Sequence, residues 1–146
     1  MSKRASELTI RGARPDERDQ LEDLQRRASM ALPDYREQLM AHPDAIHLPA
    51  EQIAAGQVFV AERRGRIVGF AAVVEGELDG LFVEPDDWRR GIGRALVDQA
   101  VHAARREGLA LSVVANPAAI SFYQKCGFVV EGEAQTRFGP APRMSR

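Results

Sequence analysis

The sequence predicts an α/β fold in which a single mixed, mostly antiparallel central sheet carries helices on both faces and contains one βαβ crossover. Three observations support this prediction. Residues 58–62 and 67–74 are two mainly apolar runs on either side of a glycine-containing turn, which is typical of a β-hairpin. Residues 77–114 follow the order strand, helix, strand, which implies a right-handed parallel crossover. Residues 117–125 form a further helix, which a strand follows.

The chain is predicted to begin with a strand at residues 8–11 and a helix that starts at Pro15. Proline suits the first helical position, and the acidic residues after it suit the positive end of the helix dipole. Apolar residues then recur at helical spacing from Leu21 to Ala28. A second, short helix is predicted over residues 35–41, between two prolines.

The middle of the chain changes to the period of β-structure. Strands are predicted at residues 58–62, 67–74 and 77–83, and Pro85 ends the third because proline lacks the N–H that a central ladder uses. A helix is predicted over residues 92–107, since apolar residues mark one face and a glycine follows it.

The last part of the chain completes the crossover with a strand at residues 109–114. Asn116 suits the N-cap of the last helix, and Pro117 suits its first position. Another strand begins at Phe128. The tail, residues 137–144, contains two prolines and is therefore predicted to return only as an edge strand.

The composition limits the classes of function. The 146 residues predict one domain, covering residues 1–146. Twenty Lys and Arg against 21 Asp and Glu give a net charge of −1, which disfavours DNA or a membrane surface as a partner, because both require a sustained basic field. Cys126 is the only cysteine, which excludes an internal disulfide and a cysteine-based zinc site, and no metal centre is expected.

Two further features concern location. No run approaches the ~20 apolar residues that a transmembrane helix requires. Residues 1–6 contain basic side chains without an apolar stretch behind them, so no secretory signal is predicted. We therefore expect a soluble, cytoplasmic protein.

The most informative segment is residues 88–96, Trp-Arg-Arg-Gly-Ile-Gly-Arg-Ala-Leu, between a predicted strand and a predicted helix. Gly91 and Gly93 allow the backbone to direct several N–H groups outward at the helix start, where four N–H groups lack internal partners. Three arginines in the same turn add positive charge. The pattern predicts a phosphate or pyrophosphate site, and a solvated basic loop is the alternative.

Two other kinds of phosphate-binding turn do not match. A dinucleotide fingerprint requires Gly or Ala at the sixth position from Gly91, and that residue is Leu96. A mononucleotide P-loop ends in Gly-Lys-Ser/Thr, which the chain lacks.

Two motifs follow each other along the chain. The first is Gly91-x-Gly93 after a strand that ends Leu81-Phe82-Val83-Glu84-Pro85, and the second is Asn116-Pro117-x-Ala119-x-x-Phe122-Tyr123-x-x-x-Gly127-Phe128. In this order and at this separation they resemble the GNAT superfamily of N-acetyltransferases. The resemblance covers residues 58–131 in detail and implies the GNAT-like acyl-CoA N-acyltransferase fold. It departs from the family pattern at Trp88, where Gln or Arg is usual.

The resemblance implies acetyl-CoA as the co-substrate. The backbones of Leu81, Phe82 and Val83 would pair with the pantetheine arm like an added strand, and a backbone N–H near Phe82 or Val83 would polarise the thioester carbonyl. In this family the strand splays from its neighbour at residues 109–114, and the thioester enters the gap. The pyrophosphate would lie on the turn formed by Arg89, Arg90, Gly91, Ile92, Gly93 and Arg94.

The resemblance also implies the catalytic groups. Tyr123 matches the tyrosine that protonates the leaving thiolate, and Asn116 matches the asparagine that contacts pantetheine; a core aromatic and a helix N-cap are their alternative roles. Glu77 lies fourteen residues before Gly91, where histone-acetylating members carry a general-base glutamate. Asp79 follows on the same side of the strand. A polar strand end is the alternative role of both carboxylates.

The predicted function is transfer of an acetyl group to a primary amine of a small molecule or peptide, by direct attack in a ternary complex. A non-catalytic acyl-CoA-binding module, and an acetyltransferase that acts on a protein N-terminus or an aminoacyl-tRNA, are the alternatives. Many members of the family are dimers, so a homodimer is a further expectation. The family's acceptor site, between the first helices and the late hairpin, corresponds here to Asp34, Tyr35, His42, His47, Arg137 and Phe138.

Overall fold

The centre of the computed structural model is a seven-stranded sheet. The structure describes residues 8–137 and 139–146; residues 1–7, where no secretory signal was predicted, and the candidate Phe138 lie outside the described residues. The strands are β1 (Thr9–Gly12), β2 (Val58–Arg63), β3 (Arg66–Val74), β4 (Glu77–Val83), β5 (Ser112–Val114), β6 (Val129–Thr136) and β7 (Gly139–Ser145).

The strands are arranged in the order β1-β2-β3-β4-β5-β7-β6. Strands β4 and β5 run parallel, and the other neighbouring pairs are antiparallel. This confirms the predicted mixed, mostly antiparallel sheet with one crossover.

Helices cover both faces of the sheet, as predicted. They are α1 (Arg18–Met30), α2 (Pro33–Ala41), α3 (Ala50–Ala54), α4 (Ile92–Arg106) and α5 (Ile120–Lys125). On one face α4 and α5 pack over a buried cluster that includes Leu96, Val97 and Met144. On the other face α1 and α3 pack over a cluster that includes Leu21 and Phe70. No helix within the described residues is long and apolar enough to cross a membrane.

The strand that completes the crossover is shorter than predicted. Instead of residues 109–114, β5 contains Ser112–Val114. Leu109 donates its backbone N–H to the carbonyl of Ala104 in α4 at 3.0 Å, and its side chain is 40% exposed. The chain is therefore still leaving the helix at the position where the apolar run suggested a strand.

The tail is an inner strand, so the prediction of an edge strand was wrong. Strand β7 lies between β5 and β6, and β6 forms the edge. Pro142 accepts a hydrogen bond from the N–H of Ala115 at 2.8 Å, so the even-numbered residues of β7 face β5. The nitrogen atoms of Pro140 and Pro142 thus point to the side where β5 has already ended, and no N–H is missed in the β6 ladder.

The segment before β2 also differs from prediction. Helix α2 begins two residues earlier than expected, because Pro33 occupies its first turn. Helix α3, which begins after Pro49, was not predicted. Its five residues are too few for a hydrophobic period to be recognised, although Ile53 is buried in the core under it.

A carboxylate at the start of α1 predicts acid-sensitive stability. Glu17 accepts hydrogen bonds from both terminal nitrogens of Arg11, at 3.1 and 2.8 Å, and from the N–H of Arg14 at 2.8 Å. The bond to Arg11 lowers the pKa of Glu17 despite its burial. Glu17→Gln should therefore reduce the free energy of unfolding by about 1–2 kcal/mol at pH 7.

The pH dependence of that loss follows from the direction of the pKa shift. Because the folded pKa of Glu17 lies below the unfolded one, the stabilisation is present above about pH 4.3 and is lost as the pH falls through the folded pKa. Urea unfolding at pH 7 and pH 3 measures the effect, with Glu131→Gln on the exposed edge strand as the control. An equal loss at both pH values would contradict the prediction.

Candidate active site

The sheet opens between β4 and β5. The two strands are paired at a single position, Glu77 with Ser112, and β5 then continues along β7. From Asp79 to Val83 the outer edge of β4 has no strand partner within the described residues. The structure therefore contains the splayed gap that the family resemblance implied.

The ladder between β3 and β4 determines which backbone groups face this gap. Glu84 donates its N–H to the carbonyl of Val68 at 2.9 Å, and in an antiparallel pair successive residues point to alternate sides. Phe82 therefore directs its N–H and C=O towards β3, opposite Phe70. Those of Leu81 and Val83 point into the gap. Of the two N–H groups considered for the thioester carbonyl, that of Val83 has the required direction.

A β-bulge in β4 arranges the two carboxylates. Ala72 pairs with Gly80 and the next residue of β3 pairs with Leu78, so Asp79 has no counterpart in the register. Asp79 accepts a hydrogen bond from the amide of Gln52 at 3.2 Å, and Glu77 lies 3.8 Å from a terminal nitrogen of Arg143. The bulge leaves both side chains on the face opposite Leu78, which is buried beneath α4.

The turn before α4 has the geometry of an anion site. Arg89 and Gly91 have positive φ angles of 65° and 81°, which fold the chain tightly before the helix. The N–H groups of Gly91, Ile92, Gly93 and Arg94 donate to no other described residue. They lie at the positive end of a fifteen-residue helix. Four unsatisfied donors and exposed guanidinium groups in one turn suit a pyrophosphate.

The turn is anchored by a residue that the sequence analysis missed. Asp87 is only 3% exposed, and its carboxylate lies 3.4 Å from Arg66 of β3 and 3.6 Å from Arg90. Arg90 is therefore directed back to Asp87, whereas Arg89 and Arg94 form no ion pair with a described residue. Nothing in the local sequence distinguishes Asp87 from Asp86, because Arg66 lies in a different hairpin.

Helix α5 brings Tyr123 to the same region. A Cβ atom on Gly93 would lie 3.1 Å from the ring of Phe122, so α5 meets the start of α4 closely at this glycine, and a larger residue would have to displace the ring. Tyr123 packs edge-on against Phe122 and Phe128, with ring centroids 5.2 and 5.3 Å away. It belongs to the cluster that contains Leu81 and Val83. The second motif thus lies beside the open edge of β4.

Burial keeps the phenol of Tyr123 protonated. It raises the pKa of the group above its ordinary value, so the phenol retains its proton throughout the neutral range and is a weaker acid than an exposed tyrosine. Its hydroxyl oxygen forms no hydrogen bond with a described residue and is not one of the fully enclosed polar atoms. The ring is therefore buried while the hydroxyl remains accessible.

Asn116 has the N-cap geometry. Its side-chain oxygen accepts a hydrogen bond from the N–H of Ala118 at 2.9 Å, at the start of the 3₁₀ turn Pro117–Ala119. The side-chain amide nitrogen is not used in this bond. A contact with pantetheine through that nitrogen stays a prediction.

The acceptor candidates lie on two separate segments. His47 is exposed, with Nδ1 3.7 Å from Glu22 of α1. Tyr35 is half-buried on α2. Arg137, at the β6–β7 turn, donates to Asp44 at 3.0 Å and thereby joins the late hairpin to the segment after α2. Within the described residues, no three His, Cys, Asp or Glu side chains are grouped to hold a metal ion.

Comparisons with known proteins agree on one family. The sequence profile of the "Acetyltransferase (GNAT) domain" matches residues 54–130. The chain is 41% identical to the peptidyl-lysine N-acetyltransferase YiaC of Escherichia coli over 78 residues, which is 52% of each protein, so this match spans about half the length of YiaC. It is 30% identical to the peptidyl-lysine N-acetyltransferase YjaB of Salmonella typhimurium, over 88% of each protein. The solution structure of apo YjaB from Escherichia coli superimposes with a TM-score of 0.76 at 26% identity, covering 95% of this chain and 97% of that one.

Proposed function

This chain belongs to the GNAT family of acetyltransferases, and from that premise we propose that it transfers the acetyl group of acetyl-CoA to the side-chain amine of a peptide lysine. The lysine acceptor is suggested by two relatives, YiaC and YjaB, which are named peptidyl-lysine N-acetyltransferases. A small-molecule amine is the second acceptor class that the same site would accommodate. As a family member the chain is an acetyl-CoA-dependent N-acetyltransferase, so a non-catalytic module is disfavoured.

The observation that carries the proposal is that three structural features lie together at the gap between β4 and β5. They are the open edge of β4, the free N–H groups before α4 and the accessible hydroxyl of Tyr123. A strand edge suits the two amides of pantetheine, and the turn suits its pyrophosphate. The residues proposed to hold acetyl-CoA are Leu81, Val83, Arg89, Arg90, Gly91, Ile92, Gly93, Arg94 and Asn116.

Acetyl-CoA supplies the acetyl group as a thioester, whose carbonyl carbon the acceptor amine attacks. The N–H of Val83 is proposed to donate a hydrogen bond to the carbonyl oxygen as negative charge develops there, which is usually the largest catalytic contribution. The C–S bond breaks, and the phenol of Tyr123 is proposed to give its proton to the departing sulfur.

A lysine acceptor must first lose a proton. With a pKa of about 10.4, its amine is neutral only about once in 2,500 molecules at pH 7, against about one in ten for an α-amine. Glu77 is proposed to accept this proton. Its carboxylate lies 3.8 Å from a terminal nitrogen of Arg143. Asp79 is the second candidate for the base. It differs from Glu77 in its neighbour, because it accepts a hydrogen bond from the amide of Gln52.

Thiol release tests the proposed function directly. The protein and acetyl-CoA are incubated with a peptide that has a blocked N-terminus and one lysine, with a lysine-free peptide that has a free N-terminus, and with a small diamine. We expect CoA thiol to appear with the lysine peptide, and mass spectrometry to find one acetyl group on that side chain. Release with the diamine alone would assign a small-molecule acceptor. Release with none, although acetyl-CoA binds, would refute acetylation of these acceptor classes.

The pH dependence of the rate identifies the base. Glu77→Gln should lower kcat at pH 7 by about 100-fold, and the deficit should shrink about tenfold for each pH unit gained, because the lysine amine then loses its proton in solution. Asp79→Asn provides the matched control, since it neutralises a carboxylate two positions away on the same face of β4. If Asp79→Asn has the pH-dependent deficit and Glu77→Gln does not, the assignment is reversed.

A further inference from the structure

Trp88 links the two parts of the proposed acetyl-CoA site. It is the only tryptophan in the chain and stands between β4 and the glycine turn. Its indole Nε1 donates a hydrogen bond to the carbonyl oxygen of Val83 at 2.8 Å, while 41% of the residue remains exposed.

The acceptor of this bond lies on the open edge. The alternation in β4 directs the C=O of Val83 into the gap, beside the backbone groups of Leu81. The indole N–H therefore bonds to the edge of β4 on the side of the gap. A backbone carbonyl has two lone pairs, so the Val83 oxygen can still accept a second hydrogen bond from a ligand in the gap.

The same bond restrains the turn. Between Val83 and Gly91 three side chains hold the chain: Glu84 pairs with Arg27 of α1, Asp87 pairs with Arg66 of β3, and the indole of Trp88 bonds to Val83. The first contact joins this segment to α1, the second joins it to β3 and the third joins it to the edge of β4. With α4 packed on the sheet, these contacts determine the separation between the open edge and the free N–H groups before the helix.

We propose that Trp88 is a positioning residue that ties the glycine turn to the edge of β4 at Val83 and thereby sets the span between the pantetheine and pyrophosphate parts of the site. The proposal rests on the proposed function, because it assumes that acetyl-CoA bridges both parts. A ligand that bridges two subsites gains affinity when their separation is fixed beforehand, whereas a ligand of one subsite does not. Loss of the indole N–H should therefore affect the whole ligand more than a fragment.

Two substitutions separate the N–H from the ring. Trp88→Phe keeps an aromatic ring and removes the donor, and Trp88→Gln removes the ring and keeps an N–H that reaches the Val83 carbonyl. Calorimetry measures the affinity for acetyl-CoA, which bridges both parts of the site. Ligand-observed NMR measures the affinity for ADP, which carries a pyrophosphate but no pantetheine. Thermal unfolding verifies that each variant is folded.

Trp88→Phe is expected to weaken acetyl-CoA binding about fivefold to tenfold and ADP binding less than about twofold, while Trp88→Gln stays within about twofold of the wild type for both. Unchanged acetyl-CoA affinity in Trp88→Phe would overturn the proposal. So would an equal loss for both ligands, or an equal loss in both variants. If the folded wild type does not bind acetyl-CoA, the proposed function itself fails, which is a different result from any of these.

Discussion

Replacing Tyr123 with phenylalanine is expected to lower kcat about 100-fold while acetyl-CoA affinity changes less than about twofold. The substitution removes one hydroxyl that forms no hydrogen bond with a described residue, so the ring packing against Phe122 and Phe128 remains. Without the phenol proton the departing thiolate must take a proton from water. The loss should therefore appear in the chemical step, and thermal stability should be preserved.

The chain offers a matched control, because it contains only one other tyrosine, Tyr35. Tyr35→Phe also removes one hydroxyl, but from the α2 segment proposed to flank the acceptor. It should change the KM for the amine without lowering kcat. Steady-state kinetics and calorimetric titration with acetyl-CoA measure both variants. An unchanged kcat in Tyr123→Phe would remove that residue from the proton-donor role.

Reversing two charges in the turn is expected to weaken acetyl-CoA binding about 100-fold. Arg89 and Arg94 flank the free N–H groups before α4 and form no ion pair with a described residue. Replacing both with glutamate substitutes two repulsive interactions for two attractive ones beside a multiply charged ligand, within one Debye length. Calorimetry at low and physiological salt measures the effect, and the difference should diminish as salt is added.

Arg90 is deliberately left unchanged in this experiment. Its guanidinium lies 3.6 Å from the buried carboxylate of Asp87, so Arg90→Glu would bring two carboxylates together and disturb the anchor of the turn. An affinity loss in that variant would not separate charge from conformation. The choice of Arg89 and Arg94 depends on this contact, which the sequence does not reveal.

The control reverses the same number of charges on the same helix. Arg105 and Arg106 are exposed in the last turn of α4, eleven residues beyond Arg94 or about 17 Å along the axis. Arg105→Glu together with Arg106→Glu gives the same net charge as the first double variant. Equal affinity loss in both would mean that net charge, and not the turn, governs binding.

Sequence patterns were sufficient where a structure depends on neighbouring residues. The hairpin of β2 and β3 follows from two mainly apolar runs around a glycine turn, and α4 follows from one apolar face. Strand β4 was predicted with the bounds Glu77–Val83 that the structure has. The anion turn was likewise recognisable, because its glycines and arginines are contiguous. In each case the interactions that form the element span only a few residues.

Patterns failed where pairing between distant segments decides the outcome. The prolines of β7 suggested an edge strand, but their nitrogen atoms face the region where β5 has already ended. The apolar residues 109–111 suggested a longer β5, but the N–H of Leu109 still donates to Ala104 at the end of α4. The residues of one strand do not indicate how long the strand beside it in the sheet will be.

The sequence by itself determined the family, the order of the elements and the residue types of the candidate site. Only the tertiary structure decided which backbone groups of β4 face the gap, because that depends on the β3 register. It also paired Asp87 with Arg66, gave Glu77 its neighbour Arg143 and directed the indole of Trp88 to Val83. These contacts depend on how distant segments align in three dimensions. Within the β3–β4 ladder the hydrogen-bond direction alternates at every residue, so a shift of one position would exchange the groups that face the gap.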